Sequence, residues 1–396
     1  MTETAKPVAI TACRSYEQEK IDAAVGRLLD RLGGLGGTDG PGDSIGQESW
    51  GTRICAGMRV ALKPNLVMGK DPAAAVTTHP ALVEAVAKAV IAAGATPFII
   101  DSPGGPSGNA AGLAMVYKRT GMVAVAERLG IEISVDTREV EVALTDRSPL
   151  RRVSILQALR EADAIINLPK IKTHAQTGYT GAVKNLYGAI PGMRKAEYHF
   201  RVQERKPFGE LLVELNLALR PALTIMDGVI GMEGDGPTAG DPKPFGYLLA
   251  SRCPFTLDHY ALSLIAIKEI EMDRVARARG LVGPLVLLDD GESIEPTPFR
   301  PASHRQVNFV ENYLPPFLAR ALSRSLRPLP AFDREKCIGC RICLQSCPAD
   351  ALQMEGIPQL DKDRCIGCLC CQEMCPERAV DVRQTGLSRL LFGSRR

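Results

Sequence analysis

Cys337-Ile-Gly-Cys340-Arg-Ile-Cys343-Leu-Gln-Ser-Cys347-Pro348 is answered by Cys365-Ile-Gly-Cys368-Leu-Cys370-Cys371-Gln-Glu-Met-Cys375-Pro376. Every equivalent cysteine is offset by 28 residues, and the same offset carries Phe332 onto Leu360, Asp333 onto Asp361, Lys336 onto Arg364, Ala351 onto Ala379 and Met354 onto Val382. A whole structural unit is duplicated, not a cysteine spacing alone. Two-residue gaps let one tight loop place three thiolates around a cuboidal cluster, with Gly339 and Gly367 permitting the sharp backbone path. The fourth cysteine follows three residues later, points the other way and reaches the second cluster. Pro348 and Pro376 fix the exit of the chain and remove a donor there. The expected sets are Cys337, Cys340, Cys343 and Cys375 on one [4Fe–4S] cluster, and Cys365, Cys368, Cys371 and Cys347 on the other. Structural zinc is disfavoured, because zinc modules use cysteine pairs and not triplets followed by Cys-Pro. Cys370 departs from the pattern and reads as a small buried hydrophobe.

The surroundings of this repeat narrow the class. A chain of 396 residues that is 45% hydrophobic can bury two or three domains. Its 48 basic and 45 acidic residues leave a net charge of +3, and no aromatic–basic motif accompanies it, so nucleic acid is not an expected partner. The start MTETAKPVAIT has no apolar signal region, and no uncharged apolar stretch reaches the roughly 18 residues that a membrane helix needs. The expectation is a cytoplasmic protein with no membrane span. Of twelve cysteines, nine lie between Cys337 and Cys375, which in a reducing compartment points to metal or redox chemistry and not to disulfides.

Up to about residue 290 the chain alternates β-branched runs with amphipathic stretches. Strands are expected at Val8–Thr11, Arg59–Lys63, Thr96–Asp101, Ile131–Val135, Ala164–Leu168, Ala222–Asp227, Tyr247–Ala250 and Leu285–Leu288. Helices are expected near Glu17–Leu32, Pro80–Ala93, Gly112–Leu129, Gly209–Leu219 and Leu257–Met272. Pro80 suits a first helical turn, with Thr77, Thr78 and His79 as capping groups. This alternation predicts an α/β domain over 1–290 with a largely parallel sheet. Residues 33–51 read as a flexible Gly-rich loop, 291–331 as a Pro-rich linker with one helix near Asn312–Leu326, 332–383 as the two-cluster domain, and 384–396 as a basic tail.

Four expected strands run into polar residues: Lys63-Pro64-Asn65, Asp101-Ser102, Pro169-Lys170-Ile171-Lys172-Thr173-His174, and Asp227-Gly228. Ligands of parallel α/β sheets bind outside the carboxyl ends of the strands. If these strands are neighbours, Lys63, Asp101, Lys170, Lys172, His174 and Asp227 rim one crevice. The segment Lys170–His199 adds Lys184, Asn185 and Tyr187 among four glycines. Its lysines favour an anionic small molecule, and His174 or Tyr187 would supply protons. The competing reading is a solvated basic loop. The stretch Gly228, Gly231, Gly234 and Gly236 lacks the GxGxxG order of a dinucleotide site and reads as a turn.

The cysteine repeat resembles the bacterial two-cluster ferredoxin family over about residues 331–383. That resemblance implies a small α+β fold of βαββαβ type with pseudo-twofold symmetry, and low-potential electron transfer. The resemblance widens upstream. Lys63-Pro64-Asn65-Leu66, His79-Pro80, Ile100-Asp101-Ser102, Asn167-Leu168-Pro169-Lys170-Ile171-Lys172-Thr173-His174, Gly181-Ala182-Val183-Lys184-Asn185 and Met226-Asp227-Gly228 together look like domain-of-unknown-function family 362. This likeness covers roughly residues 7–290 and supports the domain partition, but supplies no reaction. Residues 33–51 look like an insertion relative to its usual pattern.

An oxidoreductase is the leading expectation, because a pure carrier would not need about 290 further residues. Electrons from a donor protein would reach an anionic small molecule held by Lys63, Asp101, Lys170, Lys172, Lys184, Asn185 and Asp227. The alternative is a non-catalytic relay subunit that docks a partner protein.

Overall fold

The structure, a computed structural model, describes residues 5–36, 52–268, 270–291, 293–302 and 329–383. The strands of the first 290 residues are β1 (Lys6–Ala12), β2 (Arg59–Pro64), β3 (Thr96–Ile99), β4 (Glu132–Ile133), β5 (Glu139–Ala143), β6 (Arg152–Leu156), β7 (Ala164–Leu168), β8 (Lys170–His174), β9 (Gly178–Thr180), β10 (Leu223–Glu233), β11 (Asp241–Ser251) and β12 (Leu285–Leu288). Ten of them form one sheet in the order β12-β1-β11-β10-β7-β2-β3-β4, with β8 added on β10 and β9 on β8. The pairs β12/β1, β10/β7, β10/β8, β7/β2, β2/β3 and β3/β4 are parallel, while β11 runs antiparallel to both neighbours. Continuous apolar runs such as Ala164–Leu168 suit this placement, since a parallel sheet is covered on both faces.

The helices Gln18–Arg31 and Pro80–Ala92 contribute Val25, Leu28, Leu82 and Val86 to a core with Ile99 and Ile166. A second core joins Leu211, Leu215 and Leu257 to Ile155, Ile165 and Met226. His79 starts the helix Pro80–Ala92 as its residue type suggests, its Nδ1 accepting from Ala81 N at 3.2 Å.

Several elements differ from their expected form. The helix expected over 112–129 is two, Ala110–Arg119 and Met122–Leu129, broken at Gly121 with φ of 79°. The helix expected over 257–272 ends at Leu264, and a second runs from Glu271 to Ala278. The β5–β6 hairpin had no clear signal. Strand β10 continues through Gly228 and Gly231, where a turn was expected, and the chain turns only at Gly234 and Gly236.

At the C-terminus, β13 (Leu329–Phe332) pairs antiparallel with β16 (Val380–Arg383), and β14 (Leu352–Glu355) with β15 (Ile357–Leu360). The short helices Ile342–Gln345 and Cys370–Glu373 complete a βαββαβ order. Part of the expected linker belongs to the larger domain: Thr297 N and Phe299 N donate to Leu264 O and Ile265 O at 2.8 and 2.9 Å, and Phe299 is buried. Most of the loop expected at 33–51, the helix near Asn312–Leu326 and the tail 384–396 lie outside the described residues. Among the described residues no helix is long and apolar enough to cross a membrane.

Candidate functional site

Strands β2, β7 and β10 are neighbours, so their polar ends do converge. They do not rim an open crevice. Pro169 turns the chain from β7 straight into β8, which pairs Lys170 with Asp227 and Lys172 with Met232 of the long β10. This covers the strand ends and buries Lys63, Asp101, Lys170, Lys172, Asn185 and Asp227. The solvated-loop reading of Lys170–His174 is therefore corrected: these residues are a buried strand.

Four of these buried charges form two ion pairs. Lys63 Nζ lies 2.6 Å from Asp101 Oδ1, and Asp101 Oδ2 accepts from Leu66 N at 2.8 Å. Gly188 lies over this pair, where a Cβ would collide with both Asp101 Oδ1 and Lys63 Nζ. Lys170 Nζ lies 2.6 Å from Asp227 Oδ2 and donates to Tyr16 OH and Ile230 O at 2.8 and 3.0 Å. Tyr16 OH in turn donates to Asp227 Oδ1 at 2.7 Å, and His79 N to Oδ2 at 2.8 Å. Burial pulls both lysines below the ordinary lysine range, and the facing carboxylates oppose it. The two ion pairs hold Lys63, Asp101, Lys170 and Asp227 against one another inside the fold.

Lys172 starts an ordered relay. Its Nζ donates to Asn65 Oδ1 and Val76 O, both at 2.7 Å; Asn65 Nδ2 donates to Asn185 Oδ1 at 2.8 Å; Asn185 Nδ2 donates to Asn167 Oδ1 at 2.8 Å; Asn167 Nδ2 ends on Ala182 O at 2.9 Å. Burial without a carboxylate partner pushes Lys172 down to about 7. Asn185 is thus a buried link of this relay.

His174 sits at the end of β8. Its Nδ1 accepts from Gln176 N at 3.1 Å and Thr177 N at 3.4 Å, so the ring hydrogen belongs on Nε2. Burial, then Lys184 and Lys172, hold its pKa well below the usual histidine value, so the ring is neutral. A neutral Nε2–H donates a hydrogen bond but is no reservoir of protons. Tyr187 OH donates to Lys195 O at 2.9 Å, and its ring packs on His199 and Phe208. In this arrangement the hydroxyl hydrogen of Tyr187 is directed at a backbone carbonyl. Lys184 Nζ lies 5.5 Å from the Tyr187 ring centroid.

The ferredoxin-like domain docks on this site through its second cysteine run. His174 Nε2 lies 3.8 Å from Glu373 Oε2, Thr238 Oγ1 donates to Glu373 O at 2.9 Å, and Gln372 Nε2 to Asp235 O at 3.3 Å. Lys70 Nζ bonds Pro376 O. Sequence reasoning missed Glu373, although it is the one acidic residue inside either cysteine run. It also left Asn65 and Asn167 out of the site despite their positions at strand ends.

The eight expected ligand cysteines line two separate cavities. One, of about 360 Å³, is lined by Cys337, Cys340, Cys343 and Cys375 together with Ile338 and Phe332. The other, of about 330 Å³, is lined by Cys347, Cys365, Cys368 and Cys371 together with Leu352 and Cys370. Four thiols around a volume suit a cuboidal cluster, whose iron atoms each take one cysteine. Cys370 is buried on the helix that meets the larger domain.

Residues 60–263 match the model of a family described as domain of unknown function (DUF362), and residues 329–382 match the 4Fe-4S dicluster domain. A thylakoid-associated protein, sll1697 of Synechocystis sp., is 38% identical over 263 residues, which span 66% of this chain and 75% of that protein. Among solved structures, the lactate racemase apoprotein of Thermoanaerobacterium thermosaccharolyticum overlaps 66% of this chain and 58% of its own, at 13% identity and a TM-score of 0.39. A Thermotoga maritima protein overlaps 54% of this chain and 50% of its own, at 13% identity and a TM-score of 0.33. The C-terminal 4Fe-4S domain supports an iron–sulfur electron-transfer role.

Proposed function

The chain belongs to the DUF362 family, and from that premise we propose that it is an oxidoreductase passing single electrons between a redox partner protein and an anionic small molecule. Cys337, Cys340, Cys343 and Cys375 would hold one [4Fe–4S] cluster, and Cys365, Cys368, Cys371 and Cys347 a second, each supplying reversible one-electron transfer when bound. The observation that carries the reading is the docking of Cys370–Glu373 on the strand-end site, with Glu373 facing His174 at 3.8 Å. The first thiol set includes the exposed Cys340 and adjoins Ile338, which is 67% exposed, and so offers a partner protein its approach. Cys365 and Cys371 of the second set are buried.

His174 would donate a hydrogen bond from Nε2–H to the small molecule, and Lys172 and Lys184 would balance its charge. Lys63, Asp101, Lys170, Asp227 and Asn185 position these groups from below. A cytoplasmic location belongs to the same proposal.

The test is anaerobic purification with iron and sulfide analysis, followed by reductive titration and reoxidation by candidate anionic acceptors. About eight irons per chain are expected for two such clusters, and His174→Ala should slow reoxidation without lowering iron content. Truncation before Phe332 should abolish turnover with a ferredoxin-type donor, and retained turnover would sink the mechanism. The internal pairing of Lys63–Asp101 and Lys170–Asp227 favours the second reading, a relay subunit without its own substrate. Alanine at Lys172 and His174 separates the two, because a relay keeps its transfer to the natural acceptor.

A further inference from the structure

The two thiol sets stand in different surroundings. The first opens to solvent at Cys340, and the charged residues on its wall, Arg341 and Glu377, are opposite in sign and exposed. The second lies against the larger domain. Its Cys371 belongs to the docked helix Cys370–Glu373, and its Cys347 follows Ser346, which is buried against Gly105. A cluster held by four thiolates is an anion, and reduction adds one more negative charge. Burial away from water would by itself make the second cluster the harder of the two to reduce. Positive charge from the larger domain can reverse that order.

Lys184 supplies such a charge. Its side chain is buried, and among the described residues its ammonium group has no hydrogen bond and no ion pair, only the Tyr187 ring with its centroid 5.5 Å away. The other buried lysines of the site differ. Lys63 faces Asp101, Lys170 faces Asp227, Lys172 bonds Asn65 Oδ1 and Val76 O, and Lys195 bonds Ser102 O. Burial pulls Lys184 below the ordinary lysine range, and Glu373, then Cys370, oppose it, both from the docked helix. Cys370 also lines the second thiol cavity. The charge of Lys184 is thus felt across the domain interface at the second set. Glu373 is a single carboxylate there, and Lys172 and Lys195 act on it as well. A buried cation without a partner is costly, and an anionic cluster beside it answers that cost.

We propose that Lys184 is the countercharge of the cluster held by Cys365, Cys368, Cys371 and Cys347, and raises its reduction potential above that of the cluster held by Cys337, Cys340, Cys343 and Cys375. One electron from the redox partner protein reduces the first cluster. The first cluster returns to its oxidised state as that electron enters the second, and no bond is made or broken. Lys184 thereby gives the transfer its inward direction. The inference rests on the two-cluster part of the proposed function and needs no small molecule to be bound.

The test is a potentiometric titration of the full-length holoprotein followed by electron paramagnetic resonance, with Cys337→Ser and Cys365→Ser assigning the two midpoints. In the parent the second cluster should have the higher midpoint. Lys184→Met should make reduction of the second cluster about tenfold less favourable or more, which is about 59 mV for a one-electron couple. The first cluster should stay within about twofold of the parent. Lys184→Arg keeps the charge and should hold the second midpoint within about threefold of the parent, which a merely structural role would not require. Iron analysis checks that each variant carries both clusters, and Lys184→Gln serves where Lys184→Met does not load. An unmoved second midpoint, an equal shift of both, or a parental second midpoint below the first overturns the proposal. Each of these results leaves the oxidoreductase reading standing. A shifted second midpoint in a protein that no anionic acceptor reoxidises removes that reading and keeps this one. About four irons per chain in the parent, one cluster only, removes both.

Discussion

Lys63 Nζ of β2 and Asp101 Oδ1, two residues past the end of the adjacent parallel strand β3, meet at 2.6 Å with both side chains buried. Taking two charges out of water is expensive, and removing one partner leaves the other uncompensated. Lys63→Met should therefore cost about 3–5 kcal/mol. Lys63→Met combined with Asp101→Asn should cost clearly less than the sum of the single changes, because no lone charge is left. Urea unfolding of the three variants measures this. Additive losses would show that the two residues act separately.

Lys172 gives stability a pH dependence of definite sign. Its folded-state value is about 7, against 10.5 for the unperturbed side chain. Above roughly pH 10.5 both states carry it neutral and burial costs nothing. As pH falls toward 7 the unfolded chain takes up the proton first, so folding weakens by up to about 4–5 kcal/mol. Below 7 this contribution is level. Lys172→Met removes the slope while leaving Asn65 Oδ1 and Val76 O without their donor. The variant should thus lose more stability relative to the parent at pH 10 than at pH 7, read from denaturant midpoints. A difference that grows toward low pH would reverse the assignment.

The two cavities predict separable cysteine variants. Cys337→Ser and Cys365→Ser should each lose about half of the iron and sulfide, and the reduced spectra of the two should differ. Cys370→Ala should keep the full complement, since Cys370 is outside the duplicated ligand pattern. Iron and sulfide assays with electron paramagnetic resonance report all three. Loss of iron in Cys370→Ala would place that thiol among the ligands.

Much of this architecture is legible from residues alone, for physical reasons. The strands Arg59–Pro64 and Ala164–Leu168 read correctly because both faces are apolar, and the cysteine duplication dictates its own spacing. The site was harder. Lys-Ile-Lys-Thr-His, read locally, is as polar as a surface loop. It is a buried strand because β10 runs on past Gly228 to receive it, and because Asn65, Val76, Tyr16 and Asp227 satisfy its ammonium groups. Those partners are 57 to 154 residues away in sequence, so no local pattern reveals them. Glu373 was overlooked for the same reason, since its importance comes from the domain it faces.

That interdomain contact supplies the last prediction. Gly104 follows the end of β3, and a Cβ built there would lie 2.9 Å from Met374 Sδ, at a backbone φ of −75° that any residue adopts. Its neighbour Gly105 would meet Ser346 Oγ at 2.7 Å. A thioether can swing aside for a methyl group, so Gly104→Ala should change little. Gly104→Trp cannot be accommodated that way, and it should push the ferredoxin domain off the strand ends and separate Glu373 from His174. Neither residue touches the eight ligand cysteines, so iron content should hold at the parental value. Electron transfer from a pre-reduced protein to a small-molecule acceptor should fall tenfold or more, because tunnelling needs the docked geometry, while reduction by a donor meeting the exposed Cys340 face should be unchanged. Stopped-flow kinetics of the two half-reactions separates these steps. Equal slowing of both would indicate general damage, and an unchanged oxidative half-reaction would mean that the docked arrangement is not the route electrons take.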